Sequence, residues 1–180
     1  MSQTRKNVRI GTICFIAVFV SMILPSTVFA ADPKIDVQVV ETVDGYKLRF
    51  LNSECPGEPG NLGCVNVARG SQNWIVWELD VGSQNNGWVL TGLQFSDNGN
   101  WGGPLSNSCI ATDFDADAHT GWALAFDRHP NDHWARVRDE NDCQDPYSVN
   151  YRLHAVNGQG DNADSDPIIR NGGRSGGGSN

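Results

Sequence analysis

From Ala31 onward the chain alternates apolar and polar residues in short runs, broken by clusters of Gly, Asn, Asp and Pro. That pattern predicts strands and turns rather than helices. Ile35, Val37 and Val39 alternate with Asp36 and Gln38, and Tyr46, Leu48 and Phe50 alternate with Lys47 and Arg49. The Asp44-Gly45 pair between them has the turn chemistry of a hairpin. Further strands are predicted over 73–79, 88–95, 121–127, 134–138 and 147–156, with a short last one over 167–170. In 121–127 the pattern places Trp122, Leu124 and Phe126 on a packed face, opposite Ala123 and Ala125. In 147–156 Tyr147, Val149, Tyr151 and Leu153 form the packed face, so His154 reads as outward or edge-facing. No stretch holds a helical period. About seven or eight such strands fit an all-β, antiparallel two-sheet β-sandwich better than a closed barrel.

The first thirty residues follow a different pattern. Arg5, Lys6 and Arg9 precede an apolar run from Ile10 to Leu24, and the small-residue stretch ending Val28-Phe29-Ala30 follows Pro25. The run is too short to span a bilayer comfortably, and its flanks are those of a secretory signal peptide cleaved after Ala30. The expected organisation is therefore signal peptide 1–30, one β domain 31–170, and a flexible Gly/Ser tail 171–180, NGGRSGGGSN. Cleavage takes 13 basic residues to 10 against 21 acidic ones, and the formal charge from −8 to −11. So acidic a surface excludes nucleic acid and anionic lipid as partners, because both are bound through basic side chains. The reading has no membrane partner once the signal peptide is gone, and a secreted or periplasmic location.

Export changes how the cysteines read. Cys14 leaves with the signal peptide, so Cys55, Cys64, Cys109 and Cys143 remain, in a compartment where disulfides persist. Cys55 and Cys64 flank the turn-rich PGEPGNLG; pairing them leaves Cys109 with Cys143, one of three connectivities. A four-cysteine zinc site usually has C-x-x-C pairs, which this spacing lacks.

The C-terminal portion has a long Tyr-rich alternating strand, a polar Gly/Asp loop, and then Asp166-Pro167-Ile168-Ile169-Arg170-Asn171. Over 147–171 it resembles the DP-EP family of small bacterial β-sandwich proteins. The resemblance implies an Ig-like sandwich and assigns no activity and no catalytic residues. Read from the residues alone, Pro167 suits the first position of an edge strand, where no N–H is needed, and Asp166 suits the cap of the preceding turn.

Three constellations carry chemistry. Asp113, Asp115 and Asp117 alternate ahead of His119; in a curled loop they would converge on calcium, which takes about six to eight oxygens, and otherwise they form a solvated acidic loop. Asp97, Asn98 and Asn100 supply more oxygens nearby in sequence, and Asp139, Glu140, Asp142 and Asp145 form a second acidic cluster around Cys143. Asp127, His129, Asp132 and His133 suit a transition metal, but Pro130 argues for a loop instead of the helix that His-x-x-x-His needs. Of six tryptophans, Trp101 alone stands among turn formers, where it could stack on a sugar ring while Asn98 and Asn100 bind hydroxyls. The leading reading is an exported, non-enzymatic domain, structural or ligand-binding, whose partner is an unidentified protein or carbohydrate. Calcium is its candidate cofactor. Its alternatives are a carbohydrate-binding module and a metal-dependent hydrolase using Asp127, His129 and His133 with Asp115 or His119.

Overall fold

The computed structural model describes residues 32–55, 62–68, 70, 72–128, 133–165 and 167–171. The signal-peptide segment, Asp166 and 172–180 of the tail lie outside the described residues, as do His129 and Asp132.

The predicted hairpin opens the fold. β1 (Lys34–Thr42) and β2 (Gly45–Phe50) pair antiparallel through the Asp44-Gly45 turn, with Val37 opposite Phe50. β4 (Asn73–Leu79) lies parallel to β1 and antiparallel to β7 (Trp134–Asp139), and the two-residue β6 (Asp127–Arg128) extends that side. β8 (Tyr147–Val156) is paired along one edge by β5 (Val89–Ser96). Its other edge carries β9 (Asn162–Ser165) and then β10 (Ile168–Asn171). From Val156↔Asn162 through Leu153↔Ser165 and Asn150↔Ile168 to Tyr147↔Asn171 the register never shifts, so β9 and β10 are one strand with a break.

At the break the strand changes its outer partner. β9 lies parallel to β2, whereas β10 lies parallel to β3 (Val65–Val67). Pro167 therefore does not open an edge strand as expected; it stands where the ladder switches, where its missing N–H is tolerated, and its carbonyl accepts from Tyr151 N at 2.9 Å. Three parallel pairings also correct the wholly antiparallel expectation to a mixed sheet: β3 is too short and β9 too short and polar to announce themselves by period, and the alternation of β1 and β4 does not give their relative direction. Asn171, read as tail, belongs to β10.

Alternate positions of these strands are buried, among them Ile35 and Val37, Ile75, Trp77 and Leu79, and Tyr151 and Leu153. β4 and β8 stand apart along the ladder, yet Trp77 and Tyr151 meet with ring centroids 5.4 Å apart, so the sheet doubles over its own core. Trp77 Nε1 donates to the Tyr151 hydroxyl at 3.1 Å, which donates to the Gly63 carbonyl at 2.7 Å. That satisfies the one polar atom a buried tyrosine brings. Disulfides join Cys55 to Cys64 and Cys109 to Cys143.

Two further expectations are corrected. Single-turn helices occur at α1 (Val81–Asn85) and α2 (Ser108–Asp113), each started by a capping side chain, Asp80 to Ser83 N and Asn107 to Cys109 N. They are too short to show a period, but both caps are of the types that favour helix starts. The predicted strand 121–127 reduces to lone bridges at Trp122 and Ala123 before the short β6. Its facing also breaks up: Phe126 packs on the core and Ala125 is exposed as expected, but Trp122 and Leu124 are exposed and Ala123 packs inward.

Candidate functional site

β5 and β8 present their odd inward positions, Leu93, Phe95, Leu153 and Tyr151, to the core. The outward positions are the cross-strand pairs Gly92↔His154 and Gln94↔Arg152, and each carries a tryptophan from the loop that follows β5. The Trp122 ring lies 4.9 Å from that of His154, tilted by 32°. It reaches there across Gly92, where a Cβ would stand 2.6 Å from the indole, so only glycine leaves room beneath it. The Trp101 ring lies over the Arg152 guanidinium at 4.4 Å, a cation–π contact.

The backbone holds this arrangement in place. The Gly121 carbonyl accepts from Phe95 N at 2.7 Å, and Ala123 N donates to Leu93 O at 2.9 Å, so the loop returns along the free edge of β5. Gly121 has φ +73° and a Cβ there would collide with the Phe95 carbonyl, which makes glycine the residue for this approach. Gln94 Nε2 donates to Thr120 O at 2.8 Å and fixes the same return. Beside Trp122 opens a cleft of about 250 Å³ lined by Thr91, His154, Asn162 and Asp164. Asp164 lies 3.9 Å from Arg152, the cation under Trp101. One exposed indole, a second partly exposed one, and hydroxyl, amide and carboxylate groups thus share one sheet face.

The acidic loop is put together differently. Asp113 ends α2 fully buried, accepting from Asp142 N at 2.5 Å and Cys143 N at 3.2 Å on one oxygen and from the Tyr147 hydroxyl at 2.7 Å on the other. Burial pushes its carboxyl above the ordinary range, and those three hydrogen bonds only partly oppose this. Asp115 is exposed with φ +45°. Asp117 accepts from His119 N and from both Thr120 N and its hydroxyl on one oxygen; the Thr120 bonds lead in holding it below the ordinary range. Two of the three carboxylates therefore organise their own chain, in separate places. Among the described residues, the ligand-type atoms close enough to share an ion are those of Cys109, Asp113 and Cys143, and both sulfurs are bonded to each other. The second acidic cluster does come to this loop, through the disulfide and through Glu140 N on the Asp113 carbonyl at 2.9 Å.

Of the hydrolase set, His129 lies outside the described residues, and Asp127 is held by Arg136 through Nε and Nη2, each at 2.8 Å. Arg136 also lies over Trp74 at 4.1 Å. Asn98 uses its carboxamide oxygen to cap the loop, accepting from Asn100 N at 2.8 Å, and so shapes the approach to Trp101. Sequence reasoning found Trp101 and missed Trp122; the signal for it was the isolated Gly92 inside a strand pattern, which marks a close approach from above. Comparison of the chain with protein-family models and with curated proteins finds no match to either.

Proposed function

We propose that this protein is an exported, non-enzymatic domain that binds carbohydrate on the outer face of β5 and β8. The observation that carries the reading is Trp122, 40% exposed, held flat on Gly92 and His154 beside a polar cleft. An indole fixed from below and open above stacks on the apolar face of a pyranose, and neighbouring Asn and Asp groups exchange hydrogen bonds with its hydroxyls. The two disulfides support an oxidising compartment, and the basic and apolar N-terminal pattern supports export into one. The doubled-over sheet and the C-terminal resemblance to the DP-EP family support an Ig-like sandwich as the scaffold.

The test is retention of the mature, oxidised protein on insoluble polysaccharides, with Trp122→Ala beside it. Wild type is expected on at least one polysaccharide, with the variant weakened by roughly tenfold, the loss of one stacking contact. Equal retention of the two proteins would place binding elsewhere.

A further inference from the structure

Resting on that reading, we infer that the ligand is a linear, neutral oligosaccharide lying along β8, with different sugars of one chain on Trp122 and Trp101. Both rings are seated on the outward side of β8, Trp122 at His154 and Trp101 at Arg152. Those seats are two residues apart in one strand, about 7 Å along its axis. A single pyranose cannot cover two indoles at that separation, whereas linked pyranoses repeat along a line and meet both. The seats are also not interchangeable. Trp122 has the cleft with Thr91, Asn162 and Asp164 beside it, so one sugar is fixed in orientation there, and Trp101 adds a second stacking surface farther along the strand.

Charge selects among glycans. The cleft lining contains Asp164 and no lysine or arginine. Arg152 has Trp101 over it and Asp164 beside it, and the whole chain carries a formal charge of −8. Uronate or sulfate groups would meet a negative field with no cation assigned to them. A proline-rich peptide also stacks on paired tryptophans, but its backbone offers carbonyl acceptors and no N–H at proline, which leaves the Asp164 carboxylate facing acceptors. Sugar hydroxyls donate as well as accept, and so answer Asp164, Asn162 and Thr91 together.

The experiment is a titration of tryptophan fluorescence and heat with glucose, cellobiose, cellohexaose, N-acetylglucosamine, chitobiose, chitohexaose, an oligogalacturonide and decaproline, alongside an array of neutral plant and microbial glycans. In at least one neutral series affinity rises by roughly tenfold or more from one sugar to six. Trp101→Ala removes most of that gain and lowers the hexasaccharide response more than the monosaccharide one, whereas Trp122→Ala lowers both alike; Trp101→Phe and Trp122→Phe retain part of the binding, with unchanged melting. Length-independent binding, or hexasaccharide binding indifferent to Trp101→Ala, overturns the two-seat inference alone. Preference for the oligogalacturonide overturns the charge argument. Decaproline binding with silence from every glycan, or silence from the whole set, overturns the carbohydrate reading and this inference with it.

Discussion

Asp113 is a carboxylate that its own backbone has enclosed, and its protonation is tied to folding. Its ordinary value is 3.8, and burial raises it in the folded state. A raised carboxyl holds its proton more tightly when folded. Its contribution to stability is therefore complete below the unfolded value and is lost as pH rises through the folded one. Asp80 runs the other way: burial opposes ionisation, but hydrogen bonds from Ser83 and Gln38 and the charge of Arg49 hold it below the ordinary range, so its contribution is lost as pH falls. Asp113→Asn keeps an oxygen for Asp142 N and Cys143 N and removes the buried charge. We expect denaturant titrations to place it within about 1 kcal/mol of wild type at pH 7. The decline in stability on going from pH 4 upward should flatten in the variant. Asp113→Ala leaves two amides and the Tyr147 hydroxyl without their acceptor and should lose about 3 kcal/mol. A decline just as steep in Asp113→Asn would show that another group titrates there.

Elements differ in how openly the sequence displays them. The β1–β2 hairpin, β4, β7 and β8 were legible because each alternates over six or more residues with a buried face, as in β4, where Asn73, Ile75, Trp77 and Leu79 are buried and the residues between them are half-buried. β9 was not, since Ala163 is its only buried residue and Asn162, Asp164 and Ser165 read as loop. Alternation does not give the facing of Trp122 because 122–126 is not one continuous strand: lone bridges at Trp122 and Ala123 give way to a turn, after which Phe126 packs inward while Trp122 and Leu124 do not. The candidate site was legible by half, since Trp101 showed as an aromatic among turn formers whereas Trp122 hid in an apolar run. Gly92 tests this directly. A methyl there meets the indole at 2.6 Å, so Gly92→Ala must lift Trp122 from His154. The strand itself gains from losing a glycine, and stability should stay within about 1 kcal/mol of wild type. Tryptophan emission should nonetheless shift to the red and glycan affinity fall as far as in Trp122→Ala. Unchanged emission would mean the ring does not use that seat.

On the scale of the whole molecule, the two disulfides serve different regions, and that separates stability from binding. Cys55–Cys64 closes a short loop that is far in sequence from either tryptophan seat and whose Gly63 carbonyl accepts from the inward hydroxyl of core Tyr151. Cys109–Cys143 anchors α2, which lies between Trp101 and Trp122, to the chain after β7, and Asp113 reinforces the same junction. Chain-entropy arguments give about 3 kcal/mol for a sequence separation of 9 and about 4 kcal/mol for one of 34, so both removals should destabilise. At about 2–4 °C per kcal/mol for a domain of this size, calorimetry should show each double Cys→Ser variant melting roughly 10 °C low. Binding should divide them. Releasing α2 frees the loop that presents both indoles, so C109S/C143S must recover their ordering on binding and should lose glycan affinity by roughly tenfold. C55S/C64S leaves the face built and should bind, below its melting range, as wild type does. If the two variants lose affinity equally, the face depends on the whole core and not on the junction at Cys109, Asp113 and Cys143.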